Sequence, residues 1–249
     1  MTDFKKNKME NQSLASQWNG SKRPVLLIFD VNETLIDFGS LDPLFATVFG
    51  DKRVMREWLR YLVMYSMTLT LSGLYKDYWV LGGGVFQMVG AIHGINIQVE
   101  HIEALKEGMK TMPAQFDAEA GLRRLRDAGY RMVTLTNSPG MTSRQSPLEN
   151  AGLSNFFERQ FSIDAARAYK PSSMVYHMVA DAMNLPPEQC CMVASHFWNT
   201  VGAQSAGLSA VLLARPGNAP LLIPGLPQPN IIAGNIPALA EEMACLWNK

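Results

Sequence analysis

Val25-Leu26-Leu27-Ile28-Phe29-Asp30 is a run of five apolar strand formers closed by a carboxylate. A short continuous run of this kind reads as a parallel strand buried on both faces, so Asp30 stands at the strand's carboxyl end. A comparable unit starts at Phe116. Asp117 can cap a helix that puts Ala118, Leu122 and Leu125 on one face, Gly129 can end it, and Arg131 to Leu135 reads as the next strand, stopping at Thr136-Asn137-Ser138-Pro139. A third unit follows: a strand from Cys190 to Ala194, a polar turn from Ser195 to Asn199, a helix through Ala206, and a strand from Ala210 to Ala214. Repeated alternation of strand and helix predicts an α/β fold with a Rossmann-like, doubly wound parallel sheet, whose ligands bind beyond the carboxyl ends of the strands. Asp30, Thr136, Asn137 and the turn at Ser195 to Asn199 all fall at such ends.

Between the first strand and Phe116 lie roughly eighty residues of helical periodicity, too many for a simple crossover. Met55, Leu59, Leu62, Val63 and the stretch Ser66 to Leu71 belong to this pattern. The expected organisation is a polar extension over 1–22, a core domain over 23–39 and 113–249, and an inserted helical cap over 40–112. Trp58, Met64, Tyr65, Tyr75, Tyr78, Trp79, Phe86 and Met88 within the insertion could line a pocket, form a homodimer interface through the cap, or simply pack. Gly82-Gly83-Gly84 lacks the strand-turn-helix context of a phosphate loop and reads as a hinge or a tight contact.

The 249 residues are 47% hydrophobic and 18% charged, a globular composition, and no uninterrupted apolar stretch is long enough to span a bilayer. Lys plus Arg and Asp plus Glu balance at 22 each without a basic stripe, which argues against nucleic-acid binding and for a small-molecule partner. The N-terminal stretch is polar throughout and lacks the apolar centre of a secretory signal. Cys190 and Cys191 are adjacent and Cys245 is solitary, neither a disulfide framework nor a zinc spacing, which fits a reducing cytoplasm.

The segments FDVNETLID (Phe29 to Asp37), TLTNS (Thr134 to Ser138), AYKP (Ala168 to Pro171) and VASHFWNTVGA (Val193 to Ala203) together resemble the L-2-haloacid dehalogenase branch of the haloacid dehalogenase superfamily. The resemblance extends over nearly everything from Val25 onward. A lone Asp after a strand is more often a helix cap and a lone Lys more often a surface residue; four segments in the right order outweigh both readings. The resemblance implies a Rossmann-like core with a cap inserted after the first segment. It makes Asp30 a covalent nucleophile, Thr34 its hydrogen-bond partner, and Thr136 with Asn137 the residues that hold the substrate carboxylate. Lys170 becomes the ammonium that keeps Asp30 ionised and offsets an anionic substrate. Asp30 would displace a substituent from the carbon next to that carboxylate, and water would then hydrolyse the aspartyl ester. The implied substrate is a small carboxylic acid, and neither an organic cofactor nor a metal is expected.

The chain departs from its relatives at three places. Magnesium phosphatases of the superfamily carry a second Asp where this chain has Asn32, and carboxylates where it reads Ser195 to Asn199, so the acidic cage that magnesium prefers is missing. The dehalogenases carry an acid at the position of Asn199, and a halide-cradling arginine at the position of Leu59. His196, near Asn199, can contact water or substrate. Asp30, Lys170, Thr34, Asn199 and His196 are therefore the expected catalytic set, and Val31, Asn32, Thr136, Asn137, Leu59 and Trp198 the expected substrate contacts. A halide leaves with growing negative charge, which a desolvated arginine stabilises. A protonated ring nitrogen leaves neutral, which suits an apolar Leu59. The expected reaction is ring opening of L-azetidine-2-carboxylate or dehalogenation of an L-2-haloacid, with a phosphatase or a non-catalytic small-acid-binding relative as the alternatives.

Overall fold

The computed structural model describes residues 22–140 and 146–247. The polar extension expected at the N-terminus therefore lies, but for its last residue, outside the described residues. Six strands form one parallel sheet: β1 (Leu26–Phe29), β2 (Arg131–Thr136), β3 (Arg159–Ser162), β4 (Cys190–Ala194), β5 (Ser209–Leu213) and β6 (Ile231–Ala233), in the order β3-β2-β1-β4-β5-β6. All four residues of β1 are buried, as expected of a strand covered on both faces. The order reverses at β1, whose neighbours are β2 on one side and β4 on the other, so the ligand-binding crevice of such a sheet opens above its carboxyl end. The fold is the doubly wound α/β arrangement that the sequence predicts.

Of the helices between β1 and β2, the first four pack on one another: α1 (Asp42–Phe49), α2 (Val54–Leu71), α3 (Tyr78–Ile92) and α4 (Val99–Lys110). Their centre is aromatic. Phe45 lies 5.5 Å from Trp58 and 5.2 Å from Phe86 between ring centroids, and the Trp58 indole donates to the Gly82 carbonyl at 3.0 Å. Trp58 and Phe86 are thus packing residues. The glycine triplet lies inside α3 and is not a hinge. A Cβ on Gly82 or Gly83 would make ordinary contacts with Trp58 and Ile102, at 3.5 and 3.4 Å. The close approach is at Gly90, where a Cβ would come within 2.4 Å of Ile97.

The core is completed by α5 (Ala118–Asp127), a single turn α6 (Pro147–Asn150), α7 (Ser173–Ala182), α8 (Phe197–Ser205) and α9 (Ile236–Trp247). Ala118, Leu122 and Leu125 are buried together on α5, as their spacing requires. Asp117 does not cap that helix with its side chain. Its carboxylate instead accepts from the Arg215 guanidinium at 2.6 Å and from the first amide of α9, Ile236 N–H, at 2.8 Å. A charge-assisted bond to a buried guanidinium is stronger than a neutral cap bond, so the carboxylate turns toward Arg215. Arg215 also donates to the Thr34 carbonyl at 2.8 Å, which ties α5 and α9 to the loop after β1. Helix α8 begins at Phe197, so Trp198 and Asn199, expected in a turn, sit in its first turn.

Replacing Asp117 by Ala would leave the buried Arg215 charge without its carboxylate partner, with the neutral Thr34 carbonyl still accepting from it. We expect a loss of about 3–5 kcal/mol in unfolding free energy, read as a lower midpoint in urea denaturation.

Candidate active site

Asp30 follows β1 directly, its amide held to the Val193 carbonyl at 2.9 Å. Both of its side-chain oxygens are engaged. Lys170 donates to Oδ1 at 2.6 Å and Thr34 donates to Oδ2 at 2.9 Å. The Lys170 side chain is wholly buried, and its ammonium makes a second bond, at 2.8 Å, to the Leu135 carbonyl at the end of β2. Burial draws this ammonium below its ordinary range, and the charge and hydrogen bond of Asp30 oppose that shift. Thr34 is fixed from its other side, since its hydroxyl accepts the Ser195 amide at 3.0 Å. The loop after β1 is therefore clamped to the start of the β4–α8 connection, with Ser195 Oγ also donating to the Glu33 carbonyl at 3.1 Å.

A cavity with ≈ 300 Å³ of empty space lies against Asp30, walled by Asn32, Glu33, Leu59, Val63, Tyr78, Asn137, His196 and Trp198. It shares Glu33, Leu59, Val63, His196 and Trp198 with a wider space of ≈ 1060 Å³ that reaches Arg56, Arg60, Met64 and Met67. The inner cavity is narrow, with ≈ 20 Å³ open to a water-sized sphere, and the outer space is its approach. Asn137 Oδ1 accepts the Lys170 amide at 3.2 Å, which orients the Asn137 NH2 as an uncommitted donor at the cavity wall. Asn32 donates to Ser138 at 3.5 Å and is in hydrogen-bond contact with the Tyr78 hydroxyl. Burial, with the nearby Asp30 charge, raises the Tyr78 phenol well above its ordinary range, so it remains a neutral donor.

The predicted residues do not all meet here. Asp30, Asn32, Leu59, Asn137, His196 and Trp198 share the cavity, with Thr34 and Lys170 directly behind Asp30. Thr136 and Val31 line a different space of ≈ 540 Å³, beside β2 and β3. Side chains alternate along a strand, so Thr136 and Asn137 face opposite ways, and the Thr136 hydroxyl is taken up by the Ser138 amide at 3.0 Å. Asn199 is fully buried and accepts from the Tyr176 hydroxyl at 2.7 Å; it makes no bond to Lys170, and its Nδ2 has no partner. Leu59 stands in the cavity wall, while Arg56 is ion-paired to Glu33 and Arg60 is exposed along the outer space.

Glu33, Tyr78 and Tyr176 are the site residues that sequence reasoning did not select. Tyr78 was visible only as one aromatic among many in the insertion. Glu33 belongs to the quoted first segment, but its buried carboxylate and its left-handed backbone, φ 59°, follow from contacts with α2 and α8 that no local pattern announces. Among the described residues no group of three His, Cys, Asp or Glu side chains comes together in a way that could hold a metal ion. No helix among them is long and apolar enough to cross a membrane.

The family model for haloacid dehalogenase-like hydrolases matches residues 25–207 of this chain. The chain belongs to that family. Among curated relatives, (S)-2-haloacid dehalogenase 4A of Burkholderia cepacia is 27% identical over 195 residues, covering 78% of this chain and 84% of the relative. (S)-2-haloacid dehalogenase 1 of Pseudomonas sp. (strain CBS-3) is 26% identical over 190 residues, covering 76% and 83%. The L-2-haloacid dehalogenase of Xanthobacter autotrophicus, solved with chloropropionic acid covalently bound, superposes with a TM-score of 0.78 at 20% identity, over 88% of this chain and 97% of its own. The likeness to the solved structure is one of fold. This haloacid dehalogenase-like hydrolase thus shares its fold with the Xanthobacter autotrophicus enzyme.

Thr34→Val keeps the shape of the side chain but removes the donor to Asp30 and the acceptor for the buried Ser195 amide. It should cost about 1–3 kcal/mol of stability, measured by chemical denaturation, and should lower turnover by disordering the carboxylate.

Proposed function

We propose that this hydrolase displaces the 2-substituent of a small carboxylic acid through an ester on Asp30, and that its preferred leaving group is the strained ring nitrogen of L-azetidine-2-carboxylate. The hydrogen-bonded Lys170–Asp30–Thr34 arrangement supports the first part. It orients both oxygens of a carboxylate at the wall of a cavity lined by the inserted helices. An Asp30 oxygen would attack carbon 2, the bond to the leaving group would break with its electron pair, and water would then add to the Asp30 carboxyl carbon and cleave the bond between that carbon and the ester oxygen. The product keeps one oxygen of Asp30, and the water oxygen replaces it. Asn137 NH2, Asn32 and the Tyr78 hydroxyl are the polar groups available to orient the substrate carboxylate. Residues 40–112 would act as the cap and 23–39 with 113–249 as the core.

The observation that supports the second part is the charge of the cavity wall. Among the described residues the wall contains Leu59 and no arginine, since Arg56 is spent on Glu33 and Arg60 faces outward. A departing halide finds no cationic group in the wall to receive it, whereas a protonated cyclic amine leaves as a neutral nitrogen tethered to the product and needs none. Ring strain supplies driving force. Release of halide from an L-2-haloacid is the second reading, favoured by what the curated relatives are named for.

Asp30→Ala should reduce turnover to background while the thermal unfolding transition persists. In single turnover in oxygen-18 water, wild-type product should be unlabelled and the label should appear in Asp30 by peptide mass analysis; label entering product directly would mean that water attacks the substrate.

Ring opening of L-azetidine-2-carboxylate, read as the appearance of a primary amine, should be at least as fast as chloride release from L-2-chloropropionate. Leu59→Arg should weaken the amine reaction by about tenfold or more through like-charge repulsion. Efficient chloride release with no reaction on any cyclic amine would overturn the leaving-group assignment.

A further inference from the structure

The ester on Asp30 must be hydrolysed, and Asn199, which replaces the acid of the dehalogenases, accepts from Tyr176 and makes no bond to Asp30 or Lys170. A different base is at hand. His196 Nε2 lies 2.7 Å from Glu33 Oε2, its ring stacks on Trp198 at 5.4 Å between centroids, and its other nitrogen, Nδ1, is buried without any partner. His196 and Glu33 line the same small cavity as Asp30.

We propose that Glu33 and His196 form the base that activates the hydrolytic water, with His196 Nδ1 as the proton acceptor and Glu33 as the positioning residue. The proposal rests on the aspartyl-ester reading above. An ionised Glu33 can only accept, so it fixes the neutral imidazole as the Nε2–H tautomer and leaves the Nδ1 lone pair free. Arg56 holds the second oxygen of Glu33, which keeps that carboxylate from rotating away. Glu33 also occupies a left-handed backbone position, φ 59°, that favours glycine, and its contacts with His196 and Arg56 help to hold it there. Four charged groups act on the imidazole: Glu33 through the direct contact, and Asp30, Lys170 and Arg56 through space. Burial is the largest influence and holds the ring below its ordinary range, with Lys170 and Arg56 adding to that shift and Asp30 opposing it. The imidazole is therefore in its basic form at neutral pH.

The step balances without any further reactant. Water adds to the Asp30 carboxyl carbon as its proton passes to His196 Nδ1. The tetrahedral adduct collapses with cleavage of the bond to the ester oxygen, and the departing alkoxide takes the proton back from His196. The regenerated Asp30 carboxyl group loses its proton to the amine of the departing product, or to solvent when the leaving group was halide.

The test separates ester formation from ester hydrolysis. With L-azetidine-2-carboxylate and L-2-chloropropionate as probes, His196→Asn and Glu33→Gln should still open one equivalent of the ring, its amine held on the enzyme-bound ester, or release a burst of one equivalent of chloride. Steady-state turnover should then fall by about 10²–10⁴-fold for His196→Asn, with less loss for Glu33→Gln, and intact-protein mass should show the substrate fragment accumulating on Asp30. In wild-type enzyme the rate of ester breakdown should decline as pH falls through one protonation, and the acid limb should vanish in His196→Asn. A wild-type breakdown rate that does not vary with pH overturns the proposal without recourse to a variant, as do folded variants that lose the burst and turnover together. Absence of oxygen-18 from wild-type Asp30 would instead overturn the ester reading itself, a separate outcome.

Discussion

A lysine ammonium with no exposure to solvent can exist only where its charge is met, and Lys170 is met by Asp30 at 2.6 Å and by the Leu135 carbonyl at 2.8 Å. Those partners come from distant parts of the chain. Asp30 ends β1, Leu135 lies near the end of β2, and Lys170 arrives after β3. The parallel order β3-β2-β1 is what brings their carboxyl ends to one edge. Desolvation would cost such a group several kcal/mol if any of these strands were out of register. The pair also leaves the site close to neutral, so an anionic acid can approach a carboxylate nucleophile without the repulsion that two bare carboxylates would feel.

The parts of this arrangement legible in the sequence are those encoded locally. A buried strand followed by Asp30, the helix face of Ala118, Leu122 and Leu125, and the strand Cys190–Ala194 are each defined by a few consecutive residues, and each is present within a residue or so of its expected limits. Strands β3 and β6 were not foretold, because Arg159–Ser162 has two exposed residues and Ile231–Ala233 is only three long. Within the site, Asp30, Thr34 and Lys170 were identifiable from their segments. Thr136 went to the other side of its strand end, and Asn199 turned toward Tyr176, because side-chain direction at the start of a helix depends on which buried partner is nearest. Asp117 made the same kind of choice between a local cap and a remote guanidinium.

The cavity differs from the sheet in how it is specified. Its floor belongs to strand ends and is set by backbone hydrogen bonding, whereas its walls come from α2, α3 and the start of α8 and are set by side chains alone. Substitution in the walls can therefore change what the site accepts while the floor and its chemistry persist, which is how one fold hosts several reactions.

Tyr169, the residue before the lysine, is bonded at both ends to the inserted helices. Its amide donates to Thr70 Oγ1 at 2.9 Å, and its hydroxyl donates to the Lys76 carbonyl. The main chain that carries the ammonium is thus stitched to the segment that roofs the cavity. Any swing of that roof away from the sheet must either break these bonds or tug on the lysine's own backbone, so solvent entry and the charge balance at Asp30 are mechanically geared to one another.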